Sequence, residues 1–164
     1  MELSTTVSEV LERKGHEIHA VDPGTSVYDA LAHMAEKNVG ALLVLDQGHL
    51  IGIMSERDYA RKIVLAGRLS HGTDVSEIMT PNPICVEADQ TIGECMAIMT
   101  HRRVRHLPVL EHSELVGIVS IGDVVKAVIA EQEYVIDQLE HYITGRAPSG
   151  VARDTATDLG DLVD

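Results

Sequence analysis

Apolar residues recur along this chain in two rhythms. Val27, Ala30, Leu31, Met34 and Ala35 fall at helical spacing, and so do Ile92, Cys95, Met96 and Met99. Each series follows a candidate capping box, Ser26 with Asp29 and Thr91 with Glu94. Four apolar runs are strand-sized: 41–45 and 50–54, then 106–110 and 115–119. Asp46-Gln47-Gly48-His49 and Glu111-His112-Ser113-Glu114 link them as short polar hairpin loops. A further short strand, 18–21, closes at the turn signal Asp22-Pro23-Gly24. Ala60, Ile63 and Val64 predict a helix with an inward face, as do Val124, Val125, Val128 and Ile129. Residues 5–13 predict an N-terminal helix with Val7, Val10 and Leu11 apolar. The last helix is expected to run on to Ile143 through Val135, Leu139 and Tyr142.

These elements occur twice. Shifting the chain by 65 positions lays Val21 on Val86, Ala32 on Ala97, Met34 on Met99 and Val39 on Val104 without a gap. The match continues through Leu42 on Leu107 and Val44 on Val109, and ends with Gly52, Ser55 and Asp58 on Gly117, Ser120 and Asp123. The period is too long for a solenoid, and there are two copies only. Each copy reads strand, helix, strand, strand, helix, an α+β unit too small to cover its own apolar surface. Two copies packed sheet to sheet as a pseudo-twofold pair can do so, with clefts between them. The expected division is a first repeat with its N-terminal helix at 1–67, a linker at 68–74 with its flexible part around Gly67 to Gly72, a second repeat with an extended C-terminal helix at 75–145, and a flexible acidic tail at 146–164.

Composition narrows the function. Apolar residues make up 45% of the chain, enough for a packed interior. The apolar runs are far short of a membrane span and the N-terminus lacks a secretory pattern, so a soluble cytoplasmic protein is expected. Thirteen basic and 26 acidic side chains give a net charge of −13, which opposes nucleic acid over most of the surface. Phe and Trp are absent, so stacking platforms for single strands are poorly supplied too. Yet Arg57, Arg61 and Lys62 cluster, as do Arg102, Arg103 and Arg105. A local basic site in an acidic protein suits a small phosphate ligand. Cys85 and Cys95 form no CxxC pair and read as small buried hydrophobes. The histidines show no HxH or HExxH spacing, so no metal site is expected.

The chemistry concentrates in Gly52-Ile-Met-Ser55-Glu-Arg-Asp58 and its copy Gly117-Ile-Val-Ser120-Ile-Gly-Asp123. Glycine near the end of a strand allows close approach to the backbone. The following helix start offers unpaired N–H groups and a partial positive charge. A Ser hydroxyl there can reach a phosphate, and an Asp three residues on can accept from the hydroxyls of a ribose. The competing reading of Ser-x-x-Asp is a capping box and nothing more.

Twice in tandem at strand-to-helix junctions, this motif resembles the CBS domain pair named after cystathionine β-synthase. The similarity runs from about Val7 to Ala130 and includes Ile78-Met-Thr-Pro81. Ser55-Glu-Arg-Asp-Tyr-Ala-Arg-Lys62 and Arg105-His-Leu-Pro-Val109 resemble its stand-alone bacterial branch, which lacks a catalytic domain. The resemblance implies a Bateman module: a homodimer that binds AMP, ADP, ATP or sometimes NAD and signals to a downstream protein. It implies Asp58 and Asp123 as ribose ligands, and Ser55 and Ser120 as phosphate-side hydroxyls. Arg57, Arg105 and His106 are the candidate phosphate partners, with backbone near Ala20 and Ala41 reading the adenine edge. His106 reads equally as a satisfied core histidine, and Arg61 and Lys62 as a solvated helix face.

Two other classes compete. An enzyme lacks support, because Ser55 has no nucleophile-elbow pattern and no Cys–His or carboxylate pair is placed by sequence logic. A dimerisation scaffold with vestigial clefts is the alternative, and retention of both Ser and both Asp opposes it.

Overall fold

The computed structural model describes residues 2–145. The expectation for the tail at 146–164 lies outside them. Two sheets carry the duplicated pattern. The first has the order β1 (Ala20–Val21), β2 (Ala41–Asp46), β3 (His49–Ser55) and β4 (Thr80–Pro81). The second has β5 (Val86–Glu87), β6 (His106–Glu111) and β7 (Glu114–Ser120). β1 on β2 and β5 on β6 are parallel, and the hairpins β2–β3 and β6–β7 are antiparallel. The hairpins share one register, with Ala41 opposite Ser55 and His106 opposite Ser120.

Local chemistry sets the helix starts. α2 (Val27–Lys37) begins where the Ser26 hydroxyl accepts the Asp29 N–H, 3.0 Å away. Asp29 does not return the bond, so only half of the expected box forms. The full box occurs at Thr91 and Glu94, opening α5 (Ile92–Arg102), where the longer glutamate reaches back. α6 runs from Ile121 to Thr144.

Several predicted inward faces shift. α3 (Glu56–Tyr59) passes into a π-helical turn over Ala60–Val64, closed by Leu65 N–H on the Ala60 carbonyl. The wider turn brings Ile63 inward and leaves Ala60 and Val64 exposed, against the expectation from 3.6-residue spacing. On α6 the buried positions are Val124 and Ala127, whereas Val125 and Ile129 face outward. Among the described residues from Ala130 to Gly145, which belong to a second unit, Tyr134, Leu139 and Tyr142 are exposed.

The main departure from the expected division is an exchange of helices. α1 (Val7–Lys14), numbered with the first repeat, packs on the second: Val7, Val10 and Leu11 share a core with Val86, Ile92, Cys95 and Leu107. α4 (Val75–Ile78), numbered with the second repeat, packs on the first, where Val75 and Ile78 join Val27, Leu42 and Met54. Backbone bonds fix the swap, from Val7 N–H to Gln90 and from Val27 N–H to Thr73. Gly117 and Gly52 make room for it. A methyl group on Gly117 would lie 2.8 Å from Leu11 Cδ2, and one on Gly52 would lie 2.5 Å from Met79 Sδ and 3.1 Å from the Thr80 carbonyl oxygen.

The expected flexible linker is likewise pinned. Ser70–Gly72 forms a 3₁₀ turn, Thr73 is buried, and His71 stacks on Tyr28 with ring centroids 4.0 Å apart. Arg68 pairs with Glu77 at 2.7 Å. Glu77 lies below the usual carboxylate range, first because it accepts the Asp74 N–H and then because of Arg68.

The remaining face of each sheet turns toward the other repeat. Leu43 is fully buried yet belongs to neither helix-side core. His106 reaches across, 3.7 Å from where a methyl on Gly40 would sit.

Gly52→Ala and Gly117→Ala should each destabilise the protein by about 1–3 kcal/mol in urea denaturation. Adding Leu11→Ala should relieve Gly117→Ala, so that the pair costs less than the sum. Met79→Ala should relieve Gly52→Ala less, because the Thr80 carbonyl stays in place. Equal relief in both pairs would contradict the backbone clash.

Candidate functional site

The two Ser-x-x-Asp motifs sit at equivalent junctions, β3 into α3 and β7 into α6. Both are complete capping boxes. The Asp58 carboxylate accepts the Ser55 N–H at 3.0 Å while Ser55 Oγ accepts the Asp58 N–H at 3.1 Å. Asp123 and Ser120 repeat this at 2.7 and 3.2 Å. Each aspartate therefore keeps a second oxygen or lone pair turned away from the backbone, and the exchanged segments meet it there. Thr80 Oγ1 donates to Asp58 Oδ1 at 3.2 Å. Lys62 Nζ, 3.0 Å from the same oxygen, also donates to the Ile78 carbonyl at 2.8 Å. On the other side Lys14 of α1 donates to Asp123 and to the Ile118 carbonyl.

A cleft of about 600 Å³ opens between the repeats beside the first motif. Ser55, Arg57 and Asp58 line it from the first repeat, and Arg105 and His106 from the second. The structure thus brings five of the candidate residues into one space. It does not bring in the others. Ser120 and Asp123 stand at the second motif, and Ala20 and Ala41 lie in the parallel and antiparallel ladders and do not line this cleft. The volume falls within the usual range for small-molecule sites.

Sequence reasoning named Arg61, Lys62, Arg102 and Arg103 only as members of basic clusters, and it missed Thr80. Lys62, though its side chain is 43% exposed, also pairs with Asp58. Thr80, Arg102 and Arg103 line the cleft as well. Lys14, at the second motif, was also unmarked. A second self-alignment would have found an equivalent helix ahead of each repeat, with Val7-Ser-Glu-Val-Leu11 matching Val75-Ser-Glu-Ile-Met79 at a shift of 68 rather than 65, but not the exchange itself. Arg57 has a structural duty too, donating through Nη1 to the Arg103 carbonyl at 3.2 Å, at the end of α5.

Electrostatics follow from this packing. Burial pushes His106 below its ordinary value, with Lys14 and Arg105 acting the same way and Asp123 opposing them. Its imidazole is neutral at pH 7 and offers one donor and one acceptor. Burial alone would raise Asp123. The hydrogen bonds from Lys14 and from the Ser120 N–H outweigh it and hold the carboxyl below the usual range. Burial raises both thiols, Cys95 to about 11, which leaves them weak nucleophiles near neutral pH.

Both the His106 and Asp123 shifts lower the folded-state value, so each group contributes stability above its unfolded value and loses it as pH falls through the folded one. The denaturation midpoint should therefore drop between pH 7 and 5 through His106, and further in the acid range through Asp123. His106→Gln should flatten the first segment and Lys14→Met should weaken the second. A wild-type midpoint constant from pH 7 to 5 would contradict a buried neutral His106.

Comparison with known proteins places this geometry. The CBS domain family matches residues 7–65 and 75–130. The chain is 41% identical over 151 residues to the mitochondrial CBS domain-containing protein CBSX3 of Arabidopsis thaliana, covering 87% of this chain and 73% of that one. A CBS-domain protein of Burkholderia ambifaria superposes with a TM-score of 0.75 at 52% identity, covering 78% of this chain and 96% of that one. CBSX2, solved in complex with AMP, superposes with a TM-score of 0.63 at 28% identity, covering 78% and 98%. No helix among the described residues is long and apolar enough to cross a membrane. With both repeats matched and the tandem sheets and helices in place, the chain belongs to the CBS domain family as a tandem pair, a Bateman module.

Proposed function

We propose that this protein is a regulatory sensor that binds an adenine nucleotide, AMP, ADP, ATP or NAD, in the cleft between its repeats and performs no catalysis. The cleft itself carries the reading. It joins an aspartate with an outward oxygen, a serine and a threonine from one side to arginines and a neutral histidine from the other. Carboxylate beside hydroxyls suits a ribose, and guanidinium groups suit phosphate. The AMP complex of CBSX2 supports the ligand class. Asp58 is the proposed ribose acceptor, with Ser55, Arg57, Arg105 and His106 toward the phosphates. Asp123 and Ser120 would serve a second cleft, and the backbone at Ala20 and Ala41 the base.

One observation favours the scaffold alternative. Both aspartates already satisfy a capping box and a lysine, so the motif has a structural reason to exist without any ligand.

Nucleotide-free protein should separate the two. Ligand at 100 times its dissociation constant should stabilise the fold by about 2.7 kcal/mol. Asp58→Ala should weaken binding in titration calorimetry about tenfold to hundredfold, the loss expected for a charged acceptor. It should also cost roughly 1 kcal/mol of stability through the lost cap. Stability loss with unchanged affinity would leave the scaffold reading standing, as would no thermal shift with any of the four nucleotides.

We also propose a homodimer. Met96, Ile121, Val125 and Ile129 are 39–47% exposed on α5 and α6, and a groove between these helices is lined by Met96, Val104 and Val125. Solvent-facing apolar side chains in one patch suit a partner surface. Sedimentation should give a dimer at micromolar concentration and a monomer for Val125→Glu. A wild-type monomer would refute it.

A further inference from the structure

The repeats differ most where they face the cleft. The turn after α2 reads Lys37-Asn38-Val39-Gly40-Ala41, and its counterpart after α5 reads Arg102-Arg103-Val104-Arg105-His106. The residue at the turn is left-handed in both, Asn38 and Arg103 each at φ 53°. Asparagine tolerates that conformation well, whereas arginine has no local hydrogen bond to offset it. Helix-end compensation accounts for part of the charge, because cations favour a helix C-terminus. It does not account for Arg105, which lies beyond the helix. Nor is Arg103 needed to cap its own carbonyl, which Arg57 already holds.

Six cations line the cleft: Arg57, Arg61, Lys62, Arg102, Arg103 and Arg105. Two carboxylates oppose them, Glu56 and Asp58, and Lys62 is committed to Asp58. Among the described residues none of Arg61, Arg102, Arg103 and Arg105 takes part in an ion pair. The local balance is thus about +4 in a chain of net −13. Crowded like charges in a cleft of this size raise the energy of the free protein, and an anion lowers it in proportion to its own charge. A nucleoside monophosphate brings about two negative charges and a triphosphate about four.

We infer that the Asp58 cleft selects by phosphate number and takes a nucleoside triphosphate in preference to a monophosphate, with Arg102, Arg103 and Arg105 as the specificity-determining residues. The inference rests on the nucleotide-binding reading above. It is tested by titration calorimetry of the full, nucleotide-free chain with AMP, ADP and ATP in magnesium-free buffer at two salt concentrations. Affinity should rise from AMP through ADP to ATP, with ATP at least tenfold tighter than AMP and losing more affinity at the higher salt. Arg103→Asn restores the first repeat's residue at a turn that suits it, so the variant should fold. It should shrink the ATP-to-AMP ratio severalfold, and Arg105→Gln should do the same. AMP binding as tightly as ATP, with Asp58→Ala still weakening both about tenfold or more, would overturn phosphate selection and leave the nucleotide reading intact. An unchanged ratio in both arginine variants would overturn the residue assignment. Failure of all three nucleotides to bind would overturn phosphate selection, and failure of NAD as well would overturn both readings together.

Discussion

The structure depends on a close approach: a helix from outside each repeat lies directly on the middle of that repeat's sheet. It can do so only because Gly52 and Gly117 present no Cβ there. Leu11 fills the space over Gly117, and Met79 fills it over Gly52. Burying Val7, Val10 and Leu11 is worth roughly 1.5–3 kcal/mol for each side chain, so neither repeat's core is complete without the segment that precedes the other. The exchange ties the repeats together more firmly than a linker would. It also explains why the connecting segment, rich in Gly, Ser and His, is held by a stacked ring pair, a buried threonine and an ion pair.

The same contact builds the site. The docking of α4 and β4 carries Thr80 to the outward oxygen of Asp58, and the docking of α1 carries Lys14 to Asp123. In each repeat the aspartate is half fixed by its own capping box and half by the exchanged segment. A change in the packing of either segment is therefore felt at a carboxylate several elements away. This gives a physical route by which occupancy of a cleft and the angle between repeats could influence each other.

Charge is distributed against the average. The chain is strongly acidic, yet the space between the repeats gathers arginines from two stretches, 57–61 and 102–105. His106 lies among them and is kept neutral by burial and by neighbouring cations, so it contributes hydrogen bonding without adding to the repulsion. The two repeats, alike in backbone and register, are thereby made unlike in charge. The side chains that differ lie on the faces they turn toward each other.

The strand pairs, the Thr91–Glu94 box and the Gly-x-x-Ser-x-x-Asp junctions were legible in the residues, because each depends on neighbours within a few positions, and the duplication was legible because its copies align without a gap. So was the family. Three things were not legible at that range. The helix at Val7 was assigned to its sequence neighbour, since an apolar stripe states that it must be covered but not by which surface. Val125 and Ile129 were expected inward, and a π turn moved Ala60 and Val64 out, because periodicity fixes the width of a stripe while packing fixes its rotation. Arg102, Arg103 and Thr80 were on view as residues, but only the fold could gather them around Asp58, whereas Lys62 stands one helical turn from it in the sequence. Local sequence determined which elements form and where they begin. Tertiary structure decided which surfaces meet, because shape complementarity at two glycines, rather than order along the chain, selects the partner.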